Sequence, residues 1–310
     1  MIIWGMSGKG HDASITVWDS GTLYHESYSR ESRHNQDEIY GLLKYGDPEL
    51  VVWYENPYTK AIRQWYAGQP NPVKRNNVTS YLKSLGINCK WTYVQHHEAH
   101  AAHYYDQDTF DEAIVVVIDS IGEWDCTSVW HAKDKKLVKL GQQRYPDSVG
   151  LFYSSMVKEA GMTPQKDEAT FESLASIGMI NDRLLSDMKH DLLIAHPWRP
   201  VFARSMHRGL GGLYEQYNQI EIASTAQHLF EEIVMNTVKY WTKHLKCKNV
   251  ILSGGCAFNK GIRSRIKENG YRLWVPNNPG DGGSAKSCVL AYLRKKTSFD
   301  VPANQGGLNT

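Results

Sequence analysis

Met1–Tyr28 reads MIIWGMSGKGHDASITVWDSGTLYHESY, and Ala113–Gln143 reads AIVVVIDSIGEWDCTSVWHAKDKKLVKLGQQ. In the first stretch Met1–Met6 is apolar, Ser7-Gly8-Lys9-Gly10 turns and Ala13–Trp18 alternates. Asp19-Ser20-Gly21 is a hairpin turn, and Thr22–Tyr28 returns. In the second, Ala113–Ile118 reads as a buried strand and Asp119-Ser120-Ile121-Gly122 as a turn. Cys126–His131 and Leu137–Gln143 then flank the turn Lys133-Asp134-Lys135-Lys136. The same strand order twice predicts an internal duplication. It is a duplication of structure, since the two stretches share little sequence.

Working outward, Leu50–Tyr54 and Trp91–Gln95 read as strands, and Asn76–Leu85 as a helix ending at Gly86. A helix begins at His96, and Val149–Ala160 and Ile222–His244 carry helical spacing. Asn249–Leu252 is a strand, 259–267 a helix, Arg272–Val275 a strand and Pro276–Gly283 a turn; a final helix runs to Lys296. Strands alternating with helices give an α/β protein. The expected division is a first lobe over 1–110, a second over 111–296 with an insertion at about 181–219, and a tail over 297–310, frayed at Pro302–Thr310.

The 310 residues are 41% hydrophobic and 22% charged, which excludes a collagen-like or mostly disordered chain. The longest apolar run, Ile114–Ile118, falls far short of the roughly 20 residues of a membrane span. MIIWGMSGKG lacks the features of a signal peptide, so the expected location is the cytoplasm, without a membrane partner. Cys89, Cys126, Cys247, Cys256 and Cys288 form no CxxC pair and read as reduced thiols. A net charge of +2 neither demands nor excludes a polyanionic partner.

The sharpest local signal is His96-His97-Glu98-Ala99-His100. Residues four apart share a helix face, so His96 and His100 can offer imidazole nitrogens to one ion, with His103 a turn further on. The zinc-protease order H-E-x-x-H is absent. The plain alternative is a polar face of satisfied histidines. A third ligand must come from elsewhere, and Asp281 lies in a strand-to-helix turn. A carboxylate beside two imidazoles suits Fe(II), Mn(II) or Zn(II). A second signal, Ser253-Gly254-Gly255-Cys256-Ala257-Phe258-Asn259, delivers a strand to a Gly-Gly turn and a helix. Bare glycines and a helix start admit a nucleotide, with Asn259 placed to bond a ribose hydroxyl; the alternative is a turn and nothing more. Third, Ser7-Gly8-Lys9-Gly10-His11-Asp12 presents His11 as a base, or is merely a hairpin.

The ordered blocks GHDAS (10–14), YENP (54–57), HHEAHAA (96–102), DSIGEW (119–124), SVGLFYSSM (148–156), LSGGCAFN (252–259) and PNNPGDGGSA (276–285) resemble the O-carbamoyltransferases of nodulation and antibiotic tailoring. These are related to the tRNA threonylcarbamoyl-transfer subunit and the hydrogenase-maturation carbamoyltransferase. The resemblance implies the actin/sugar-kinase/heat-shock superfamily fold, two lobes of duplicated ribonuclease-H-like topology with nucleotide in the cleft. It implies a metal, Fe(II) first and Zn or Mn as alternatives, on His96, His100 and Asp281. It implies nucleotide binding at Gly254, Gly255 and Asn259, with Gly282 beside them, and catalytic roles for His11 and Asp12. The implied partners are carbamoyl phosphate and ATP, which form carbamoyl-adenylate, and an acceptor hydroxyl.

Departures are visible. His25-Glu26-Ser27-Tyr28-Ser29-Arg30-Glu31-Ser32-Arg33-His34 only partly matches the family's EERFxRxKH block. Ala169–Ala175 (ATFESLA) replaces GKVMGLA, losing a lysine and gaining Glu172. The usual enzymes add a C-terminal domain of roughly 200 residues that makes carbamoyl-adenylate. The resemblance stops short of it, which implies a separate activating protein or an unusual cleft. The acceptor expected is a 5-hydroxymethylated pyrimidine in DNA or a small sugar or antibiotic hydroxyl. Arg199, Arg204, His207 and Arg208 lie among Trp198 and Phe202, with Lys260, Arg263, Arg265 and Lys267 after the glycine turn; basic and aromatic residues together suit nucleic acid. Rival classes are a non-catalytic nucleotide-binding subunit and an ATP-dependent kinase.

Overall fold

The computed structural model describes residues 1–194 and 198–296. β1 (Ile2–Ser7), β2 (Ala13–Asp19) and β3 (Thr22–Ser29) form an antiparallel meander. β4 (Leu50–Trp53) and β5 (Lys90–Tyr93) add in parallel on the other side of β1, giving the order β3-β2-β1-β4-β5. β6 (Glu112–Gly122), β7 (Asp125–Lys133) and β8 (Lys136–Arg144) repeat the meander. A short antiparallel pair, β9 (Leu193–Ile194) and β10 (Val201–Phe202), interrupts the chain. β11 (Asn249–Ser253) and β12 (Arg272–Trp274) then join β6 in parallel, in the order β12-β11-β6-β7-β8. Traced from β8, the second sheet has the strand order and directions of the first, which is the duplicated topology expected.

The central strands are buried on both faces, which explains their continuous apolar runs: Ile114–Ile118 are all at 1% exposure or less. One face of the second sheet packs on helices Val149–Glu159, Gln219–Leu245 and Lys260–Glu268. Its other face receives Ala101, Tyr104 and Phe110, from the end of the helix His96–Ala101 and the turn after it. Ala99 and Ala102 of the same stretch pack into the first sheet's core. Small side chains let this histidine helix lie between the two layers.

The segment 181–219 is only partly irregular. Helix Asp182–Leu192 buries Leu184, Met188 and Leu192, a stripe at four-residue spacing on the second core. The tail over 297–310 lies outside the described residues. The final helix, Ser284–Lys296, does not stay with the second lobe as expected. Cys288, Val289, Leu290 and Ala291 enter the core of the first sheet. Gly5 on β1 has no Cβ to block Ala285, and Cys288 Sγ lies 3.3 Å from the Val52 carbonyl. A single cut at 110/111 therefore does not separate the layers.

Candidate metal centre and glycine loop

The chain leaves β1, β4, β5 and β11 at Ser7, Trp53, Tyr93 and Ser253, all on one side of the sheets, and the parallel pairing of β6 with β11 ends at Val117 opposite Ser253. The carboxyl ends of parallel strands are where α/β folds build sites. His96 and His100 sit one turn apart on the helix that follows β5, with Nε2 atoms 3.1 Å apart. Asp119, just past the last β6–β11 pair, brings Oδ2 to 3.2 Å from each of those nitrogens. Asp281 brings Oδ1 to 3.5 Å from His96 and 3.3 Å from His100. These donor atoms all lie within 4.8 Å of one another.

The donor set fits a divalent first-row ion. Ligand bonds of about 2.0–2.2 Å in a tetrahedral arrangement separate donors by about 3.3–3.6 Å. Two carboxylates balance a divalent charge, and the mix of imidazole and carboxylate suits Fe(II), Mn(II) or Zn(II). Without an ion the same charges act on each other. Burial pulls the His100 imidazole down, but hydrogen bonds to Asp119 and Asp281 and their charges override it and hold it at about 9. Burial pushes Asp119 up, yet the hydrogen bonds from His100 and His96 hold it well below the usual carboxylate range. The imidazoles and carboxylates thus compensate one another, at the desolvation cost that burying charges carries, and a divalent cation could take the place of the imidazole protons.

The surroundings fix these side chains. Glu123 Oε1 accepts from the N–H of His96 at 3.1 Å and from that of Asn56, tying the helix start to the YENP loop. Arg63 Nε donates to the Glu123 carbonyl at 2.9 Å. A Cβ on Gly122 would meet the His96 ring, and one on Gly150 would lie 2.7 Å from the Asp119 carbonyl. His97 points the other way: its Nδ1 shares a hydrogen bond with Ser128 Oγ at 2.8 Å, and burial holds it well below its ordinary value, hence neutral. His103 is 3% exposed, and neither ring nitrogen has a hydrogen-bond partner among the described residues; it stands outside the cluster, beneath Gly283.

The residues expected around a nucleotide are placed differently. Gly254, at φ +89°, donates its N–H to Pro279 O at 2.8 Å; a side chain there would strike the Ile118 main chain. A Cβ on Gly255 would lie 3.0 Å from Asp119 Oδ1, so this turn shapes a cluster residue directly. Asn259 is not free for a ribose. It is 8% exposed and its Oδ1 caps the helix Lys260–Glu268 through Ile262 N. Its Nδ2 donates to Gln227 Oε1 at 2.9 Å and to the Tyr153 hydroxyl at 3.2 Å. Gly282 packs against Asn278 and Tyr28. Glu172, in place of an apolar residue, accepts from Lys260 N at 2.5 Å and Gly261 N at 2.8 Å. His11 is exposed and Asp12 half-buried on a turn whose Gly10 faces Asp281 Oδ2. Burial, then the charge of Asp281, raises the Asp12 carboxyl.

The basic surface loses Phe202 and keeps a half-buried Trp198. Phe202 is buried and stacks on Phe152, and Trp198 packs on Trp241 at 5.4 Å. Arg265 pairs with Glu231 at 3.1 Å, and Arg263 Nε bonds the Ala257 carbonyl. Asp119 was missed by sequence reasoning, although its DSIGEW block stood out.

Two sheets of one topology, each a meander extended by two parallel strands, have the actin/sugar-kinase/heat-shock fold. Full-length HypF, solved in a phosphate- and nucleotide-bound form, superposes with a TM-score of 0.53 over 96% of this chain and 56% of its own, at 12% identity. The profile of the carbamoyltransferase N-terminus family matches residues 54–289, and the chain belongs to that family. An uncharacterized protein of Synechocystis sp. is 27% identical over 98% of this chain and 60% of its own length. The nodulation protein NolNO of Sinorhizobium fredii is 22% identical over 64% of this chain and 31% of its own. The chain thus spans at most about 60% of the length of these relatives. Among the described residues, no helix is long and apolar enough to cross a membrane.

Proposed function

We propose that this chain is the transfer unit of an O-carbamoyltransferase, moving a carbamoyl group from carbamoyl-adenylate to an acceptor hydroxyl. The observation that carries the reading is the convergence of His96, His100, Asp119 and Asp281 in a chain of this family. A scaffold or a purely nucleotide-binding subunit has no physical need of four such donors in one buried spot. These residues would hold Fe(II), with Zn(II) or Mn(II) as alternatives; bound there, the ion supplies Lewis acidity toward phosphate or carbonyl oxygen.

The chain's own groups do the rest. The acceptor oxygen forms a bond to the carbamoyl carbon, the bond from that carbon to the adenylate oxygen breaks, and AMP leaves with the electron pair. The acceptor's proton passes to His11, the exposed base on the turn beside Asp281, with Asp12 next to it. The adenylate would lie alongside the turn at Gly254 and Gly255, which packs on Ile118 and Asp119, and the two layers would shield the mixed anhydride from water. The burial of Phe202 removes one of the two aromatic partners expected for a DNA base, which favours a small-molecule hydroxyl.

The test incubates the full chain, loaded in turn with Fe(II), Mn(II) and Zn(II), with carbamoyl-adenylate or with carbamoyl phosphate plus ATP. One arm offers a 5-hydroxymethylcytosine oligonucleotide, another an aminoglycoside-type sugar. Mass spectrometry reads gain of one carbamoyl group. Transfer in either arm that disappears in His100→Ala supports the reading. Failure of every loaded form to release AMP or carbamoylate any hydroxyl would refute it.

A further inference from the structure

The loop carrying Asp281 is held from both sides. Its early end belongs to the second sheet: Pro279 O accepts from Gly254 N at 2.8 Å and from Ser253 Oγ at 3.3 Å. Its later end is held by two buried serines of the first sheet. Ser7 ends β1, and Ser14 is its register partner on β2. They are 0% and 1% exposed, and their hydroxyl oxygens lie 2.7 Å apart. Asp281 O lies 3.1 Å from Ser7 Oγ and 3.3 Å from Ser14 Oγ.

A count of hydrogens shows what the pair does. Ser7 Oγ accepts from Ser14 N at 3.0 Å, and Ser14 Oγ accepts from Ala285 N at 3.3 Å. The two hydroxyls bring two protons. One is used between the serines; the other is left for the Asp281 carbonyl. If Ser14 donates to Ser7, Ser7 donates to Asp281; if the direction reverses, Ser14 does. Either way the carbonyl of residue 281 keeps one side-chain donor beside the Ser284 N–H.

We infer that Ser7 and Ser14 are an interchangeable pair of positioning residues for Asp281, setting how tightly the cluster takes a metal. The inference rests on the metal reading proposed above. Neither serine belongs to the cluster; both act through the main chain of the residue that does. Outer contacts of this kind are worth about 10–100-fold in metal affinity. Interchangeability makes a distinctive prediction. In Ser7→Ala the Ser14 hydroxyl is free to serve Asp281, and in Ser14→Ala the Ser7 hydroxyl is. The Ser284 N–H also donates to this carbonyl within its own short turn, so only the double variant strips it of every side-chain donor.

The experiment titrates Co(II) into the full chain and follows its visible absorption, with urea unfolding in parallel. Wild type and both single variants should bind with similar affinity and spectrum. Ser7→Ala/Ser14→Ala should bind about 10-fold or more weakly with an altered spectrum. Thr16→Val is the control: Thr16 is buried on β2, and its hydroxyl has no partner among the described residues. It should leave Co(II) binding unchanged. If the double alanine variant does not fold, Ser7→Ala/Ser14→Cys keeps the volume with only a weak S–H donor and should show the same loss. Single losses that simply add to the double loss would overturn the inference. So would wild-type affinity in the double variant, or an equal loss in Thr16→Val. No Co(II) binding by the wild type would instead sink the metal reading beneath it.

Discussion

Adding one methyl group outside the cluster, by Gly122→Ala, should disable it. Gly122 ends β6, and its backbone is not left-handed, so alanine introduces no φ strain. The new Cβ would lie 2.8 Å from His96 Cγ and 2.8 Å from His97 Cδ2, with His96 Cδ2 nearer still. Carbon atoms settle at about 3.5 Å or more, so the His96 ring must retreat by at least about 0.7 Å. Metal–ligand distances tolerate only about 0.2 Å. The ring cannot yield that far and remain in register with His100, Asp119 and Asp281. Overpacking of this kind costs about 1–3 kcal/mol, small enough for the chain to remain folded. The expected result is a folded protein that retains no stoichiometric Fe(II) or Co(II). Elemental analysis after gel filtration, a Co(II) absorption titration and a urea melt read the three quantities. A folded Gly122→Ala protein that binds one ion with wild-type affinity would show that His96 is not a ligand in the arrangement described.

Three further outcomes follow from other contacts. Gly255→Val should lose metal as well as nucleotide, because its side chain would press on Asp119 Oδ1, now 3.0 Å from an ideal Cβ; calorimetry that shows metal retained and nucleotide alone lost would contradict this. Glu172→Ala strips the carboxylate from the start of the helix Lys260–Glu268 and should lower stability by about 1–2 kcal/mol in urea; an unchanged midpoint refutes the cap. Glu38 is held below its ordinary value of 4.5 first by the His34 hydrogen bond, so its contribution is present above that value and fades as pH falls through the folded one. Glu38→Gln should therefore lower stability near neutrality and flatten the acid limb of a stability–pH curve; parallel curves for the two proteins would remove the linkage.

What could be read in advance depended on range. The meanders Ile2–Ser29 and Glu112–Arg144 are local pairings joined by short turns, and their periodicity and turn residues announce them. His96 and His100 were legible because helical spacing alone brings them together. Asp281 was legible only through its block. Asp119 was hidden because Asp-Ser-Ile-Gly reads as a turn, and its partners come from an earlier helix, His96–Ala101, and a loop far later. Asn259 misled because a polar side chain after a glycine turn suits either a ligand or a helix cap, and Gln227 and Tyr153, which decide the matter, are distant in sequence. The final helix misled because chain order placed it with β12, while its apolar residues match the face of β1 and β4.

That last helix has a consequence for how the protein comes to exist. Synthesis completes the five strands of the first sheet long before the segment Ser284–Lys296 that covers them. At about 5–20 residues per second, the delay is on the order of ten seconds or more. During it the second sheet is made in full, while the first sheet stands without Cys288, Val289, Leu290 and Ala291, which complete its core. Asp281 emerges just before the covering helix. The histidines are therefore already translated, and Asp119 too, when Asp281 arrives on the same stretch of chain that seals the sheet. Completion of the four-donor cluster and closure of the first half are consequently one late event, and a nascent chain has no finished cluster before it.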